Sequence, residues 1–294
     1  MLDRTVYWLF RLTILLARPF PLRVGYWFAE RVALVCYWVI FPRHRRALNA
    51  NLAHVLQSND ARFVDSVARR SFGNFGKYVI DFIHYPALTR DEIQHRLHFD
   101  QWDELNQAAD SGRGVIIATL HFGNWDLGAA ALAAFGYPVN AIAETFRYQP
   151  MNELVQGSRV KLGMRVIGGG HVGPTVFKAL RNGEMLAMLV DVVSEEDGIR
   201  VDFFGAPALV SPAAARIALR TGAWVVPAVV LRGPNDDIVI RPIIDTSLRD
   251  FRPTGDEPTD VRELTVRIMH SMEPTIRAHP HQWFIFRRLW NAGV

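Results

Sequence analysis

His121 and Asp126 are the two residues whose types and spacing best suit catalysis, within the run HFGNWD at positions 121–126. An imidazole can accept a proton from an alcohol near neutral pH. A carboxylate bound to its other ring nitrogen would fix the tautomer and stabilise the imidazolium. No Ser or Cys lies where His121 would activate it, so the pattern favours direct attack by a substrate hydroxyl over a covalent acyl-enzyme. Alone the pattern is weak, because a single His at a strand end is more often structural.

The residues around His121 predict a strand, a tight turn and a helix. Residues 115–120 form an apolar run typical of a buried strand, and His121 follows at its carboxyl end. Asn124 is a good N-cap for a helix over 125–135. Asp126 would then lie in the first helical turn, so we expect it to face His121. The backbone N–H groups after His121 are expected to hold an oxyanion.

Beyond about residue 113, strand-length apolar runs alternate with helical segments, which predicts an α/β fold with a central, mostly parallel sheet flanked by helices. Strands are expected at 114–120, 139–144, 164–167, 185–190, 201–204, 224–231 and 238–244. Helices are expected at 125–135, 150–162, 174–182, 211–221 and 259–278, and residues 60–90 read as helical. Ligands in such folds bind beyond the carboxyl ends of the strands.

The first 50 residues are basic, aromatic and aliphatic, with eight arginines and two acidic residues, whereas the whole chain carries +4. This composition is typical of a membrane-surface element. Arg4, Arg11 and Arg18 are seven residues apart and predict a helix lying in the interface plane. A buried core helix is the alternative, and a spanning helix is disfavoured because no window has 18 uninterrupted apolar residues. We therefore expect membrane-anchoring helices over 1–58 and a catalytic domain over 59–294.

The remaining patterns exclude some functions and leave two alternatives. The single cysteine rules out an intramolecular disulfide and a Cys-rich metal site. Nucleic-acid binding would not explain so much apolar surface, and we expect no metal and no bound cofactor. Gly168–Gly173 satisfies G-x-G-x-x-G, so an NAD(P)-binding oxidoreductase is one alternative, although Pro174 removes an N–H from the phosphate cradle. A catalytically inactive membrane-binding protein is the other, and the intact His121 and Asp126 argue against it.

Several further blocks accompany the His-x4-Asp pattern: Arg159-x3-Gly163, Val201–Gly205, Thr221–Pro227 and His279–Arg288. Together they resemble the bacterial lipid A late acyltransferases, which share a branch of the lysophospholipid acyltransferase superfamily with the mycobacterial phosphatidylinositol mannoside acyltransferases. The resemblance implies a glycerolipid acyltransferase-like fold at the cytoplasmic side of the inner membrane. It also implies acyl transfer from acyl-CoA or acyl carrier protein to a hydroxyl of a glycolipid, either a lipid A precursor or a phosphatidylinositol mannoside.

Five polar residues join His121 and Asp126 as candidates for binding substrate: Glu144, Arg147, Arg159, Asp191 and Glu195. Glu144 could bind sugar hydroxyls, support His121 or pair with an arginine. Arg147 and Arg159 could bind phosphates, because the guanidinium fork suits them, or form salt bridges. Asp191 ends a predicted strand, which allows a role in the site or in structure. By similarity to the mannoside enzymes, Glu195 is expected to line the acceptor site.

Overall fold

The computed structural model describes residues 2–17, 20–143, 145–168, 172–233 and 238–290. Six strands form the central sheet in the order β3-β2-β4-β1-β7-β8, and only β8 runs antiparallel to its neighbour. The predicted α/β architecture with a mostly parallel sheet is confirmed. The strands are β1 Val115–Thr119, β2 Val139–Ile142, β3 Arg165–Ile167, β4 Met185–Leu189, β5 Ile199–Phe203, β6 Ala206–Val210, β7 Trp224–Arg232 and β8 Ile240–Ile244.

Six of the α-helices in the described residues precede the first strand in the chain, and the others come between the strands or after them. The helices are α1 Leu2–Ala17, α2 Leu22–Val35, α3 Pro42–Leu56, α4 Ala61–His84, α5 Arg90–Arg96, α6 Trp102–Asp110, α7 Trp125–Ala134, α8 Gln149–Lys161, α9 Val172–Arg181, α10 Ala213–Thr221 and α11 Glu257–Ala278. A π-helical turn, Cys36–Ile40, extends α2. The five helices predicted after residue 113 all form, within two residues of their expected ends.

Strand β1 lies at the centre of the sheet and is buried on both faces. Ile116 and Ala118 belong to one hydrophobic cluster, and Val115 and Ile117 belong to the cluster on the opposite face. A strand covered on both faces needs a continuous apolar run rather than an alternating pattern, which is what residues 115–120 provide. His121 therefore follows a strand whose residues are all buried.

Strands β5 and β6 form a separate antiparallel hairpin, and β6 was not predicted from the sequence. Its residues include Pro207 and two alanines, which have low strand propensity. Phe204 and Gly205 form the two-residue turn with φ of 55° and 76°, as a type I′ hairpin requires.

The N-terminal helices pack on the rest of the molecule by one face and expose apolar side chains on the other. Tyr26 and Tyr37 are buried, whereas Trp8, Trp27 and Phe28 are exposed. Asn51 donates hydrogen bonds to the carbonyls of residues 285 and 287. The division into residues 1–58 and 59–294 stays a prediction. The membrane contact expected of Arg4, Arg11 and Arg18 also stays a prediction, and Arg18 lies outside the described residues.

Within the described ranges, no single helix has both the length and the hydropathy to cross a membrane, and one pair, Leu22–Ile40 with Pro42–Leu56, meets the criteria jointly but is bent by 101°.

Candidate active site

His121 and Asp191 meet at the carboxyl edge of the sheet, where the neighbouring strands β1 and β4 end. The Nδ1–H of His121 donates to Oδ1 of Asp191 at 2.8 Å, and the backbone N–H of His121 donates to Oδ2 at 3.0 Å. Parallel strands that are adjacent in a sheet end at the same edge, so residues far apart in sequence become neighbours there. The structure thus gives His121 a carboxylate partner 70 residues away in the chain.

The Asp191 carboxylate is completely buried and held by further donors. The indole Nε1–H of Trp283 donates to its Oδ2 at 3.1 Å. Burial alone would raise the pKa of Asp191, but the charge of His121 and these hydrogen bonds lower it below its ordinary value. An ionised carboxylate only accepts hydrogen bonds, so Nδ1 of His121 carries the hydrogen and Nε2 is left to accept a proton.

His121 is partly open to solvent and more basic than usual. Its side chain is 28% exposed, and the ring of Trp125 lies edge-on to it with 5.1 Å between centroids. Burial tends to lower the pKa of His121, but the charge and the hydrogen bond of Asp191 outweigh it and raise the pKa above its ordinary value. Asp126 contributes less to the same rise. The imidazole therefore has the orientation and basicity of a general base.

Asp126 does not contact His121 as the sequence predicted. Its carboxylate accepts two hydrogen bonds from Arg159, from Nε at 2.8 Å and from Nη2 at 3.1 Å, and one from the hydroxyl of Tyr78 at 2.7 Å. The buried carboxylate is satisfied by this guanidinium fork, so its partner is the arginine rather than the imidazole. The expected direct His121–Asp126 pair is wrong, whereas a part for Asp126 in catalysis stays a prediction.

Asn124 caps α7 as predicted and ties the turn to its surroundings. Its Oδ1 accepts from the N–H of Leu127 at 3.1 Å and from the hydroxyl of Tyr85 at 2.7 Å. The backbone N–H groups of Gly123 and Asn124 donate to the carbonyls of Gln282 and Val230, at 2.8 and 3.0 Å. These two amides are therefore already used. The expectation that backbone N–H groups after His121 hold an oxyanion stays a prediction for the N–H groups at the start of α7.

A buried ionic cluster lies behind the turn and was missed in the sequence. Asp81 accepts hydrogen bonds from Arg96 at 2.8 Å, from Arg232, and from Nδ2 of Asn124 at 2.8 Å. The hydroxyl of Tyr26 also donates to Asp81, at 2.6 Å. In the sequence, only Asp81 interrupts an apolar run, whereas Arg232 follows one and Arg96 lies among polar residues. The cluster connects α2, α4, α5 and β7 to the turn that carries His121.

Gly123 leaves no space for a side chain, which predicts a large effect of adding one. Its φ is 58°, and a Cβ placed there would lie 1.8 Å from the carbonyl oxygen of Val230. We expect Gly123→Ala to lower the free energy of unfolding by at least about 3 kcal/mol, measured by urea unfolding. Gly222→Ala is the matched control, because Gly222 also has a positive φ, of 72°, but no atom of the described residues lies within 4 Å of an added Cβ. We expect this variant to lose about 1–2 kcal/mol of unfolding free energy. Equal losses in both variants would contradict the steric argument.

The other candidate substrate residues lie in different settings. The guanidinium group of Arg159 forms a salt bridge with Asp126. This is the salt-bridge alternative of the sequence analysis, and the phosphate contact stays a prediction. Asp191 is buried beneath His121 and bonded to it, which favours a supporting role, and its contact with substrate stays a prediction. Arg147 is exposed in the turn before α8, and Glu195 is exposed and pairs with Arg200 at 3.2 Å. Glu144 lies outside the described residues.

Two further features concern cofactors and metals. Residues 169–171 of the glycine-rich segment lie outside the described residues, and Pro174 occupies the first turn of α9. In the described part of the chain, one group of side chains could hold a metal ion: Asp202, His270 and Glu273, whose ligand atoms lie within 4.8 Å of one another. They are on β5 and α11, not at the strand ends that carry His121 and Asp191.

The chain is similar in sequence to known acyltransferases. The model of a family described as bacterial lipid A biosynthesis acyltransferase matches residues 1–292. A phosphatidylinositol mannoside acyltransferase of Mycolicibacterium smegmatis is 25% identical over 252 residues, covering 84% of this chain and 80% of that protein. One from Mycobacterium tuberculosis is 26% identical over 263 residues, covering 86% and 80%.

Proposed function

The chain belongs to the bacterial lipid A biosynthesis acyltransferase family and is an acyltransferase, and from this premise we propose that it transfers a fatty acyl chain from a thioester to a hydroxyl of a glycolipid. The donor is acyl-CoA or an acyl carrier protein. The observation that carries the proposal is the hydrogen bond between His121 and the buried Asp191. It prepares a base for a hydroxyl at the edge where ligands bind in such sheets.

The proposed reaction is direct transfer with His121 as base and then as acid. Nε2 of His121 removes the proton from the acceptor hydroxyl as its oxygen attacks the thioester carbonyl. The tetrahedral intermediate then collapses, the carbon–sulfur bond breaks, and the leaving thiolate takes the proton back from Nε2. Asp191 holds Nδ1–H throughout and stabilises the transient imidazolium. No metal or bound cofactor takes part in this sequence.

Stabilisation of the oxyanion is proposed for the start of α7. The first N–H groups of a helix have no partner within the helix and point towards its N-terminal end. Leu127 is capped by Asn124, so the amides of Trp125 and Asp126 are the candidates. Arg159 balances the charge of Asp126, which would otherwise oppose an oxyanion at this end. Asp126 and Arg159 are therefore proposed to position the helix start.

The acceptor is proposed to be a glycolipid of the phosphatidylinositol mannoside or lipid A type, met at the cytoplasmic surface of the inner membrane. The relatives are named for the first of these lipids. Apolar side chains that are exposed on the N-terminal helices support the membrane contact: Trp8, Leu12, Leu15, Trp38 and Val39. Arginines on the same helices suit anionic lipid headgroups. Arg147 and Glu195 are proposed to contact the acceptor from the exposed loops.

The test is acyl transfer by the purified protein in detergent, with acyl-CoA or acyl carrier protein as donor and both glycolipid classes as acceptors. Mass spectrometry identifies the product. We expect His121→Ala to lower kcat at least about 10³-fold, because the base is lost. His95→Ala is the control, since His95 is exposed on α5 and, among the residues that the structure describes, pairs only with Asp91 of the same helix. Wild-type rates in the His121 variant would refute the mechanism.

A further inference from the structure

A large apolar groove lies between the N-terminal helices and α4. Its volume is about 810 Å³, within the range of ligand-binding pockets. Its walls include residues of α1, α2, α3 and α4, and aromatic and aliphatic side chains dominate the lining. Helix α2 contributes Trp27, Phe28 and Val32, all of which are exposed to solvent. A groove of this composition suits hydrocarbon rather than a sugar or a nucleotide.

Helix α4 separates this groove from the catalytic site. The residues of α4 that line the groove recur at helical spacing: Phe72, Phe75, Gly76, Val79, Ile80 and Ile83. On another face of the same helix, Tyr78 donates to Asp126 and Asp81 binds Asn124 of the catalytic turn. One helix thus presents an apolar face to the groove and a polar face to the site, about 10 Å away across its diameter.

Phe75 connects the two sides through aromatic contacts. Its ring lies 5.8 Å from that of Tyr78, which stacks on Trp125 at 4.2 Å, and Trp125 lies against His121. On the other side, Phe75 contacts Phe284 at 5.6 Å, and the N–H of Phe284 donates to the carbonyl of His121 at 2.8 Å. The part of the groove that Phe75 lines is therefore close to the catalytic base.

Basic side chains accompany the groove on α2 and α3. Arg31, Arg43 and Arg46 are exposed, and Glu30, the one acidic residue between positions 20 and 46, pairs with Lys77 at 2.7 Å. The stretch from residue 20 to residue 46, which supplies part of the apolar lining, therefore has a positive net charge. This combination complements an amphiphile with a hydrocarbon chain and an anionic headgroup.

Resting on the proposed function, we propose that this groove binds one hydrocarbon chain of the lipid acceptor during transfer. The hydrocarbon chain lies between α2 and α4. The headgroup lies outside the groove beside Phe75, where its hydroxyl reaches His121. The groove then selects acceptors that carry a lipid chain over free sugars. It acts through the lipid part of the acceptor, which the catalytic residues do not touch.

Cys36 gives a direct test, because it lines the groove, is partly accessible and is the only cysteine of the chain. Treatment with hexadecyl methanethiosulfonate forms a disulfide with Cys36, releases methanesulfinate and fills the groove with an alkyl chain. We expect KM for the glycolipid to rise at least about tenfold, and kcat/KM for the deacylated headgroup to stay unchanged. Reduction with dithiothreitol should restore the original KM. Cys36→Ala should be insensitive to the reagent, and Cys36→Trp should reproduce the rise without it.

Three results would overturn the proposal. One is an unchanged KM for the glycolipid when both the fully modified protein and Cys36→Trp are assayed. Another is an equal loss with the glycolipid and with its deacylated headgroup. The third is that the modified protein also loses co-sedimentation with vesicles of anionic phospholipid as KM rises. The groove would then be a membrane-docking surface. Unmodified protein that acylates neither acceptor would contradict the proposed function instead, so the two failures are distinguishable.

Discussion

Replacing Asp191 with asparagine is expected to lower kcat of acyl transfer about 10³-fold while the protein remains folded. The asparagine fills the same volume but carries no charge, and its amide can donate where the carboxylate only accepted. His121 would then lose both its fixed tautomer and the partner that stabilises its imidazolium. The measurement is steady-state kinetics with the glycolipid acceptor, with circular dichroism to verify folding.

The pH dependence of the residual activity gives a second readout of the same substitution. His121 acts as a base only when neutral, so activity rises as pH passes upward through its pKa. Asp191 raises the pKa of His121, and its removal lowers that pKa. The midpoint of the acidic limb of kcat/KM is therefore expected at lower pH in Asp191→Asn than in the wild type.

Asp126→Asn is the matched control, because Asp126 was the partner expected from the sequence but binds Arg159 and Tyr78. It should shift the midpoint less than Asp191→Asn does, since Asp126 contributes less to the pKa of His121. A larger shift in Asp126→Asn than in Asp191→Asn would contradict the pairing of His121 with Asp191. It would favour the pairing with Asp126 that the sequence predicted.

Replacing Asp81 with alanine is expected to lower the free energy of unfolding by about 3–5 kcal/mol, because removing one partner leaves buried charge uncompensated. Arg232 and Arg96 would both lose their carboxylate in an interior where water cannot replace it. For a chain of this size the loss corresponds to a fall in Tm of about 10 °C. Thermal unfolding followed by circular dichroism measures it.

Glu263→Gln serves as the control for this loss. Glu263 pairs with Arg267 on the exposed face of α11, where an ion pair contributes about 0.5 kcal/mol or less.

Burial tends to raise the pKa of Asp81, but Arg232 and Arg96 lower it below the ordinary value. The contribution of Asp81 is therefore complete above the pKa of an unfolded aspartate and is lost as pH falls towards the lower folded value. A Tm unchanged in Asp81→Ala would contradict the account.

The sequence could place His121 at the end of a strand, because the elements on either side of it are specified locally. An apolar run, a glycine and an N-cap occupy consecutive positions, so β1, the turn and the start of α7 follow from neighbouring residues. Asp191 was also placed at a strand end. What the sequence could not supply was strand order: only the pairing of β4 with β1 brings Asp191 to His121.

The ionic cluster shows the same limit in the helices. Asp81, Arg96 and Arg232 lie on α4, α5 and β7, and no spacing between them signals that they meet. Charged residues on amphipathic elements usually face solvent, so each of them alone indicates a surface position. Only the packing of those elements turns three separate charges into a support for the catalytic turn.

The segment 282–284 makes the catalytic turn depend on a late part of the chain. Gln282 accepts from the amide of Gly123, Trp283 donates to Asp191, and Phe284 donates to the carbonyl of His121. During synthesis, His121 leaves the ribosome about 160 residues before these partners do. The nascent chain therefore carries the base long before the contacts that fix it, and the site is completed only once residues 282–284 have been synthesised.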